Sequence, residues 1–415
     1  MALPAGVRRG YALGSVATGT FGTVPGLLLL PYLTDTIGVA AGLAGLLVVL
    51  PKAWDVLLNP VAGRLSDRAG VRRPFLLWGG IALAVTFALM FAGPANPVWV
   101  VLLFLACATA YAFFQVPYVA MPAEMTDDPA ERTRIMTWRV AVLAVAILIS
   151  GATAPLVVDV AGHAVMGLYV GVLLLAGSLG AYVGTRSAPR VGATVASGTL
   201  AAQLRVITEV PDFRRLLTTW VVQALGIGTL LAGTAYVARY VLGDPATSSL
   251  LFAAFVGPAL LVTPLWARYA ARRGKRVGYV VSSLVLVVGA LATLSGSLVG
   301  LCMAAAVAGI GYAGVQVFPL AMLPDVAAED ARAGGASRAG MFAGIWTAGE
   351  TLGLALGPGI YAAVLQVGGY RSAGEAQPDG ALLAILLGFG AVPAVFVLLS
   401  LVGLRGYSLD ERSPA

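Results

Sequence analysis

The sequence predicts an all-α membrane protein of twelve transmembrane helices in two pseudo-symmetric six-helix bundles. Three observations predict it. Of 415 residues, 59% are hydrophobic and only 11% are charged, which is more apolar surface than a water-soluble chain of this size can bury. Apolar runs of about 20 residues, long enough to cross a bilayer core as helix, recur along the whole chain. Two motifs of the first half return in register in the second.

The runs fall at 11–33, 41–62, 74–93, 97–120, 136–157, 164–185, 213–237, 248–269, 277–296, 298–321, 339–365 and 380–404. They are continuous rather than alternating, which argues against a transmembrane barrel. The first follows Arg8-Arg9, but it is too long for a signal peptide and lacks a convincing cleavage site, so it is read as an uncleaved helix. It carries Thr18, Thr20 and Thr23. The second carries Lys52, Asp55 and Asn59, spaced i, i+3 and i+7 on one helical face. A charge at mid-bilayer costs about 2.5–3.5 kcal/mol on insertion scales, so an intramembrane Asp points to function.

A basic loop follows, with Arg64, Asp67, Arg68, Gly70, Arg72 and Arg73. The fourth run offers Tyr111, Gln115 and Tyr118, and leads into Glu124, Glu131, Arg132 and Arg134. The fifth opens on Trp138 and Arg139. His163, the only histidine, falls in a short loop before the sixth, and is expected to be solvated there rather than to bind metal or relay protons. The loop at 186–212 is rich in Ser, Thr, Ala and Gly and divides the chain into bundles over 1–185 and 213–415; residues 199–210 can form a short surface helix ended by Pro211. The second half offers Gln223 and Thr229 on the seventh run, Tyr312 and Gln316 on the tenth, and Trp346 and Glu350 on the eleventh. The eleventh also carries Gly349-x-x-x-Gly353-x-x-x-Gly357, a small-residue stripe suited to close helix packing. Cys107 and Cys302 lie within predicted helices and read as packing residues.

The formal charge of +7 invites a nucleic-acid reading, but the positions reject it. Of 26 Lys and Arg, Arg239 and Arg371 fall in predicted outer loops, and Lys52 and Arg139 within helices. The others lie at the termini or in alternate loops. This positive-inside pattern places both termini in the cytoplasm. The halves then match: Asn59-Pro60 leads to Gly70 and Arg72-Arg73, as Thr263-Pro264 leads to Gly274 and Lys275-Arg276. Phe114-Gln115-Val-Pro117 parallels Val315-Gln316-Val-Phe-Pro319. Parallel six-helix repeats are a transporter organisation, with the solute site expected between the halves.

Three stretches carry a family resemblance: Tyr32-Leu-Thr34-Asp35 with Trp54-Asp55-x-x-x-Asn59-Pro60; Pro117-Tyr118…Glu124-Met-Thr126-Asp127…Glu131-Arg132-Thr-Arg134…Arg139; and Met322-Leu-Pro-Asp325…Gly344-Ile-Trp346…Glu350-Thr351…Gly357-Pro358. Together they resemble the glycoside–pentoside–hexuronide:cation symporters of the major facilitator superfamily, the melibiose permease group. The resemblance implies cation-coupled uptake of a sugar or glycoside by alternating access. The helix II acid of that family is present as Asp55, while its usual acidic partner is Asn59. The sugar-gripping acid of helix I aligns with Gly19 and the Lys before it with Thr18. The helix IV acid aligns with Gln115 and the nearby Trp with Val119. The helix V Arg is Arg139, and the helix XI Lys aligns with Thr351 beside Glu350.

The expected roles follow. Asp55, Asn59, Lys52 and Glu350 are the candidates for cation coupling, with a proton favoured over sodium; permanent pairing of Asp55 with Lys52 or Arg139 is the structural alternative. Thr18, Thr23, Tyr111, Gln115, Tyr118, Trp138, Arg139, Gln223, Tyr312, Gln316 and Trp346 are candidate solute contacts, because sugars need many donors and acceptors with an aromatic face. Arg64, Asp67, Arg68, Glu124, Glu131, Arg134, Arg268 and Asp325 are candidate gate residues at helix ends. An exporter or carrier of amphipathic compounds, drugs or lysolipids, is the other functional class. No nucleotide loop, metal cluster or nucleophile–base pair is found, so neither enzyme activity nor a cofactor is expected. The expected setting is a monomer in the plasma or inner membrane, in contact with lipid and a small solute.

Overall fold

The computed structural model describes residues 3–126, 128–188, 207–295, 297–334, 339–373, 376–407 and 409. They are almost wholly helical: α1 (Ala5–Pro31, continued by a π-helical turn, Tyr32–Thr36), α2 (Ala41–Ala69), α3 (Arg73–Ala92) and α4 (Pro97–Met125). The run Pro129–Gly184 breaks at Gly162 into α5 (129–161) and α6 (163–184). Then come α7 (Pro211–Tyr236, continued by a π-helical turn, Val237–Val241), α8 (Thr247–Arg273), α9 (Lys275–Ala292), α10 (Leu298–Gly334), α11 (Ala339–Val367), α12 (Asp379–Phe389) and α13 (Ala391–Leu404).

Among the described residues, eleven helical runs are long and apolar enough to cross a membrane, and one of them, Arg134–Gly184, spans 51 residues. Gly162 splits that run, with φ +82° and ψ 173°, an arrangement a side chain rarely permits. The split restores the twelve crossings expected from the sequence. In contrast, α12 and α13 together form one crossing, Asp379–Leu404.

Local sequence sets the helix ends. Asn96 caps α4 by accepting the Val98 amide at 2.8 Å, with Pro97 in the first turn, where its missing N–H costs nothing. Pro211 opens α7 in the same way. The surface helix expected over 199–210 falls up to residue 206 outside the described residues; 207–209 are helical. His163 departs from the solvated loop position expected for it. It is half-buried, its ring 4.6 Å from Tyr32 and stacked on Phe91 at 6.3 Å, because the next helix starts immediately after Gly162.

The chain divides into two compact units, Met1–Val195 with Ser372–Glu375, and Ala196–Arg371 with Ala376–Ala415. In the first, α1 packs along the α5–α6 run, α3 along that run and α4, and α2 along α4. In the second, α9 and α8 pack on α10, α7 on α11, and α13 on α7 and α9. The core buries large side chains such as Trp220, Phe87 and Tyr361, and small residues let the helices approach closely at crossings. The stripe on α11 faces α7: Gly349 meets Val221 and Leu217, Gly353 meets Ala224, and Gly357 lies against the Gly228 backbone with no room for a Cβ. The stripe therefore serves packing within the unit.

Candidate functional site

Each unit holds its own cluster of intramembrane polar side chains. In the first unit the centre is Asp55 on α2. It is 3% exposed, and its Oδ1 is buried without a hydrogen-bond partner. No ion pair joins it to Lys52 or Arg139 among the described residues. The permanent pairing considered from sequence is absent, although Lys52 remains near enough for the two charges to interact. The ammonium instead lies over the rings of Phe21 (4.8 Å) and Phe104 (5.8 Å). Such a cation–π contact is worth about 2 kcal/mol when desolvated. Asn59 is half-buried one turn after Asp55.

Around this pair, α1 and α4 supply further groups. The Thr18 hydroxyl donates to Gln115 Oε1 at 2.8 Å, leaving the Gln115 amide N–H groups as donors. Tyr111 packs on Phe21 at 4.5 Å between ring centres. Thr23 is buried on α1. Tyr118 has another role from the one expected. Its ring stacks on Tyr11 at 4.6 Å, its hydroxyl donates to the Tyr11 carbonyl (3.0 Å) and meets Ser15 (3.0 Å), and Tyr11 donates to the Tyr118 carbonyl (3.1 Å). This clasp joins α1 to α4 and leaves no free phenol for a solute. Arg139 lies over the Tyr118 ring at 5.6 Å, its Nε buried without a partner. Trp138 is 44% exposed, with Arg9 over its ring at 5.7 Å, so α5 turns it away from this cluster.

In the second unit, Gln223 is fully buried and both ends of its amide are engaged: Nε2 donates to Ser283 (2.9 Å) and Oε1 accepts from Tyr279 (2.7 Å). It ties α7 to α9 and is withdrawn from the solute contacts. Trp346 is 2% exposed and stacks on Trp220 at 5.5 Å, so it offers no open aromatic face. Gln316 Nε2 donates to the Tyr312 hydroxyl at 2.9 Å, while its Oε1 is buried and unpaired. Glu350 is half-buried on α11 within Coulomb reach of Tyr312.

Five of the charges expected at gates, Asp67, Glu124, Glu131, Arg134 and Asp325, pair inside their own units. Arg72 holds Asp67 (2.7 Å), Ser66 (3.0 Å) and Glu124, tying the α2–α3 turn to the end of α4. Lys275 repeats this in the second unit, holding Asp325 and the Ala321 carbonyl (3.0 Å) at the end of α10. Glu131 is buried and takes Arg8 (3.1 Å), Arg134 (2.9 Å) and the Leu3 amide (3.4 Å). Burial pushes its carboxyl pKa up, but the hydrogen bonds from Arg8, Arg134 and Leu3 outweigh it and hold the pKa below its ordinary value. Arg64, Arg68 and Arg268 are exposed, and no ion pair is found for them among the described residues.

Sequence reasoning missed the Phe21 and Phe104 cage, the Tyr11 half of the clasp and the Trp220 partner of Trp346. The aromatic residues carry no polar signal, although Phe21 lies three residues beyond Thr18 and Phe104 seven before Tyr111, on shared helical faces. Lys275 was visible as the counterpart of the basic pair after Gly70.

The sequence profile of a family described as "MFS/sugar transport protein" matches residues 10–411. Among relatives spanning nearly the whole chain, a glucuronide carrier protein homolog of Escherichia coli is 25% identical, the match covering 97% of this chain and 92% of that protein. An isoprimeverose transporter of Lactiplantibacillus pentosus is 24% identical, over 99% of this chain and 90% of its own. Among solved structures, a bacterial homolog of the human lysosomal transporter Spinster shares the fold with a TM-score of 0.71 at 16% identity, covering 99% of this chain and 98% of its own.

Proposed function

We propose, because the chain belongs to the MFS/sugar transport protein family, that it is a secondary transporter moving a sugar or glycoside in symport with a cation. The observation that carries the coupling is Asp55: a buried carboxylate with an unsatisfied oxygen, beside a lysine held on aromatic rings rather than on the acid.

An unmade hydrogen bond on a buried acid is costly. A proton on Asp55 neutralises it and leaves Lys52 on Phe21 and Phe104. Loss of the proton creates an anion that draws Lys52 off the rings. Lys52 thus exchanges partners with the protonation of Asp55, giving two local arrangements whose balance the cation sets. A proton suits this nest better than sodium, which wants several hard oxygens, whereas Asn59 replaces the second carboxylate. On the solute side, the free amide donors of Gln115 and the guanidinium of Arg139 supply polar contacts in the first unit.

Basic residues in alternate loops support insertion in the plasma or inner membrane with both termini cytoplasmic. The use of the α11 glycine stripe within the second unit supports a monomer.

Ligand-induced thermal stabilisation tests the reading. Purified protein is melted with methyl glycosides, lysolipids or lipophilic amines, with and without sodium, at acidic and alkaline pH, beside Asp55→Asn. A glycoside at a hundred times its Kd adds about 2.7 kcal/mol of stability. The expected result is stabilisation by a glycoside that depends on pH in the wild type and loses that dependence in Asp55→Asn. Stabilisation by amphipathic compounds alone, indifferent to Asp55, contradicts the proposal.

A further inference from the structure

The pattern Tyr-Ala-x-x-Gln-Val occurs twice, at 111–116 on α4 and 312–317 on α10. The spacing puts Tyr and Gln on one helical face in each copy, but the copies meet different surroundings. On α4, Thr18 fills the Gln115 oxygen at 2.8 Å and Phe21 covers the Tyr111 ring at 4.5 Å. On α10, the Gln316 amide reaches only Tyr312, at 2.9 Å, and its Oε1 stays buried and open. Because the Tyr312 hydroxyl accepts from that amide, its own proton remains to be donated. Glu350 on α11 comes within Coulomb reach of Tyr312 and has no hydrogen bond or ion pair among the described residues.

We propose that Tyr312, Gln316 and Glu350 form a hydroxyl-binding subsite in the second unit, where Glu350 takes adjacent hydroxyls of a sugar ring, Gln316 accepts another and Tyr312 donates to a ring or hydroxyl oxygen. The inference rests on the sugar-symport reading and adds where the solute is held. A carboxylate accepts two neighbouring O–H groups at once, and charge-assisted hydrogen bonds of this kind are stronger than neutral ones. The neutral amide and phenol beside it match hydroxyls, which both donate and accept. A metal ion would want about six or more oxygen ligands, which one carboxylate, one amide oxygen and one phenol do not supply, and a bare proton would leave Gln316 Oε1 unmet. The subsite and Asp55 therefore do separate work: one holds solute, the other the coupling cation.

The test measures binding of methyl α- and β-glycosides of glucose, galactose, xylose and glucuronic acid to the full purified chain. Wild type is compared with Glu350→Gln, Glu350→Ala, Gln316→Ala, Tyr312→Phe and Asp55→Asn. The expected result is a loss of about tenfold or more in affinity for the best glycoside in Glu350→Ala and Gln316→Ala, with a smaller loss in Tyr312→Phe. Glu350→Gln is expected to weaken binding yet keep its pH dependence, while Asp55→Asn loses that dependence. Glycoside binding to the wild type that no variant of the three residues weakens overturns the subsite and leaves the symport reading standing. Loss of pH dependence in Glu350→Gln with glycoside affinity intact also overturns it, by making Glu350 a proton site. Binding of lysolipids or lipophilic amines with none of any glycoside overturns both readings. Melting of each variant without ligand checks folding, and Tyr312→Phe, which removes a single oxygen, keeps the test decisive if a Glu350 variant fails to fold.

Discussion

Asp55 and Glu131 are both buried carboxylates, and they show opposite solutions. Glu131 is satisfied from three sides, by Arg8, Arg134 and the Leu3 amide. Asp55 keeps an oxygen open, with Lys52 placed on Phe21 and Phe104 instead of on it. The first pattern stabilises one arrangement; the second is the one proposed above to permit two. The satisfied acid gives a pH prediction. Its folded pKa lies below the ordinary 4.5, so the unfolded chain takes the proton first as pH falls. The stability it contributes is fully present above the ordinary value and is lost as pH drops through the folded one. Glu131→Gln is therefore expected to lower the melting temperature at neutral pH, and the gap to wild type is expected to close in acid. Melting curves of the two proteins across that range check it; a gap that persists below the folded pKa contradicts it. Sequence made Asp55, Lys52 and Arg139 legible because charge inside an apolar run stands out. It could not distinguish Gln115, with its open donors, from Gln223, whose amide is spent on Ser283 and Tyr279, since hydrogen-bond partners come from other helices.

Helix positions were legible from apolar runs and from the turn residues between them. The split at Gly162 and the join of α12 to α13 show the limits: one glycine breaks a 51-residue run, while Gly390 leaves a single crossing. Packing faces were harder to read. The α11 glycine stripe fits either a second chain or a neighbouring helix by spacing alone, and the partner became visible only with α7 in place. Gly357→Val is expected to cost about 1–3 kcal/mol, the usual penalty of overpacking, because the Gly228 backbone fills the space a side chain needs. Gly26→Ala, inside α1 where nothing lies within 4 Å of an added Cβ, is expected to lose nothing and to gain up to about 1 kcal/mol from helix propensity. Thermal melting of both variants tests the pair; equal melting points contradict the packing assigned to α11. The clasp of Tyr11 and Tyr118 illustrates the same limit from the other side. Tyr118 looks like a candidate ligand contact until its hydroxyl is seen to reach the carbonyl of Tyr11, 107 residues away, and the Tyr11 hydroxyl to reach the Tyr118 carbonyl.

At the scale of the molecule, repetition was the most informative feature of the sequence, and it survives as matched devices in each unit. Arg72 on Glu124 and Lys275 on Asp325 do one job twice. The two Tyr-Ala-x-x-Gln-Val copies meet different surroundings: Thr18 and Phe21 engage the first, while the second leaves Gln316 Oε1 without a partner. The intramembrane acid also changed place, from α2 in the first unit to α11 in the second. On the proposed roles of Asp55 and Glu350, that asymmetry separates the cation from the solute, which require different chemistry. The most direct test of the account is uptake of a radiolabelled methyl glycoside into proteoliposomes holding the purified chain, under an imposed inward proton gradient, an imposed sodium gradient, or neither. The account predicts accumulation above equilibrium under the proton gradient, equilibration without it, and no accumulation by Asp55→Asn. Glycoside uptake that no cation gradient drives above equilibrium, or that Asp55→Asn accumulates as well as wild type, would contradict it.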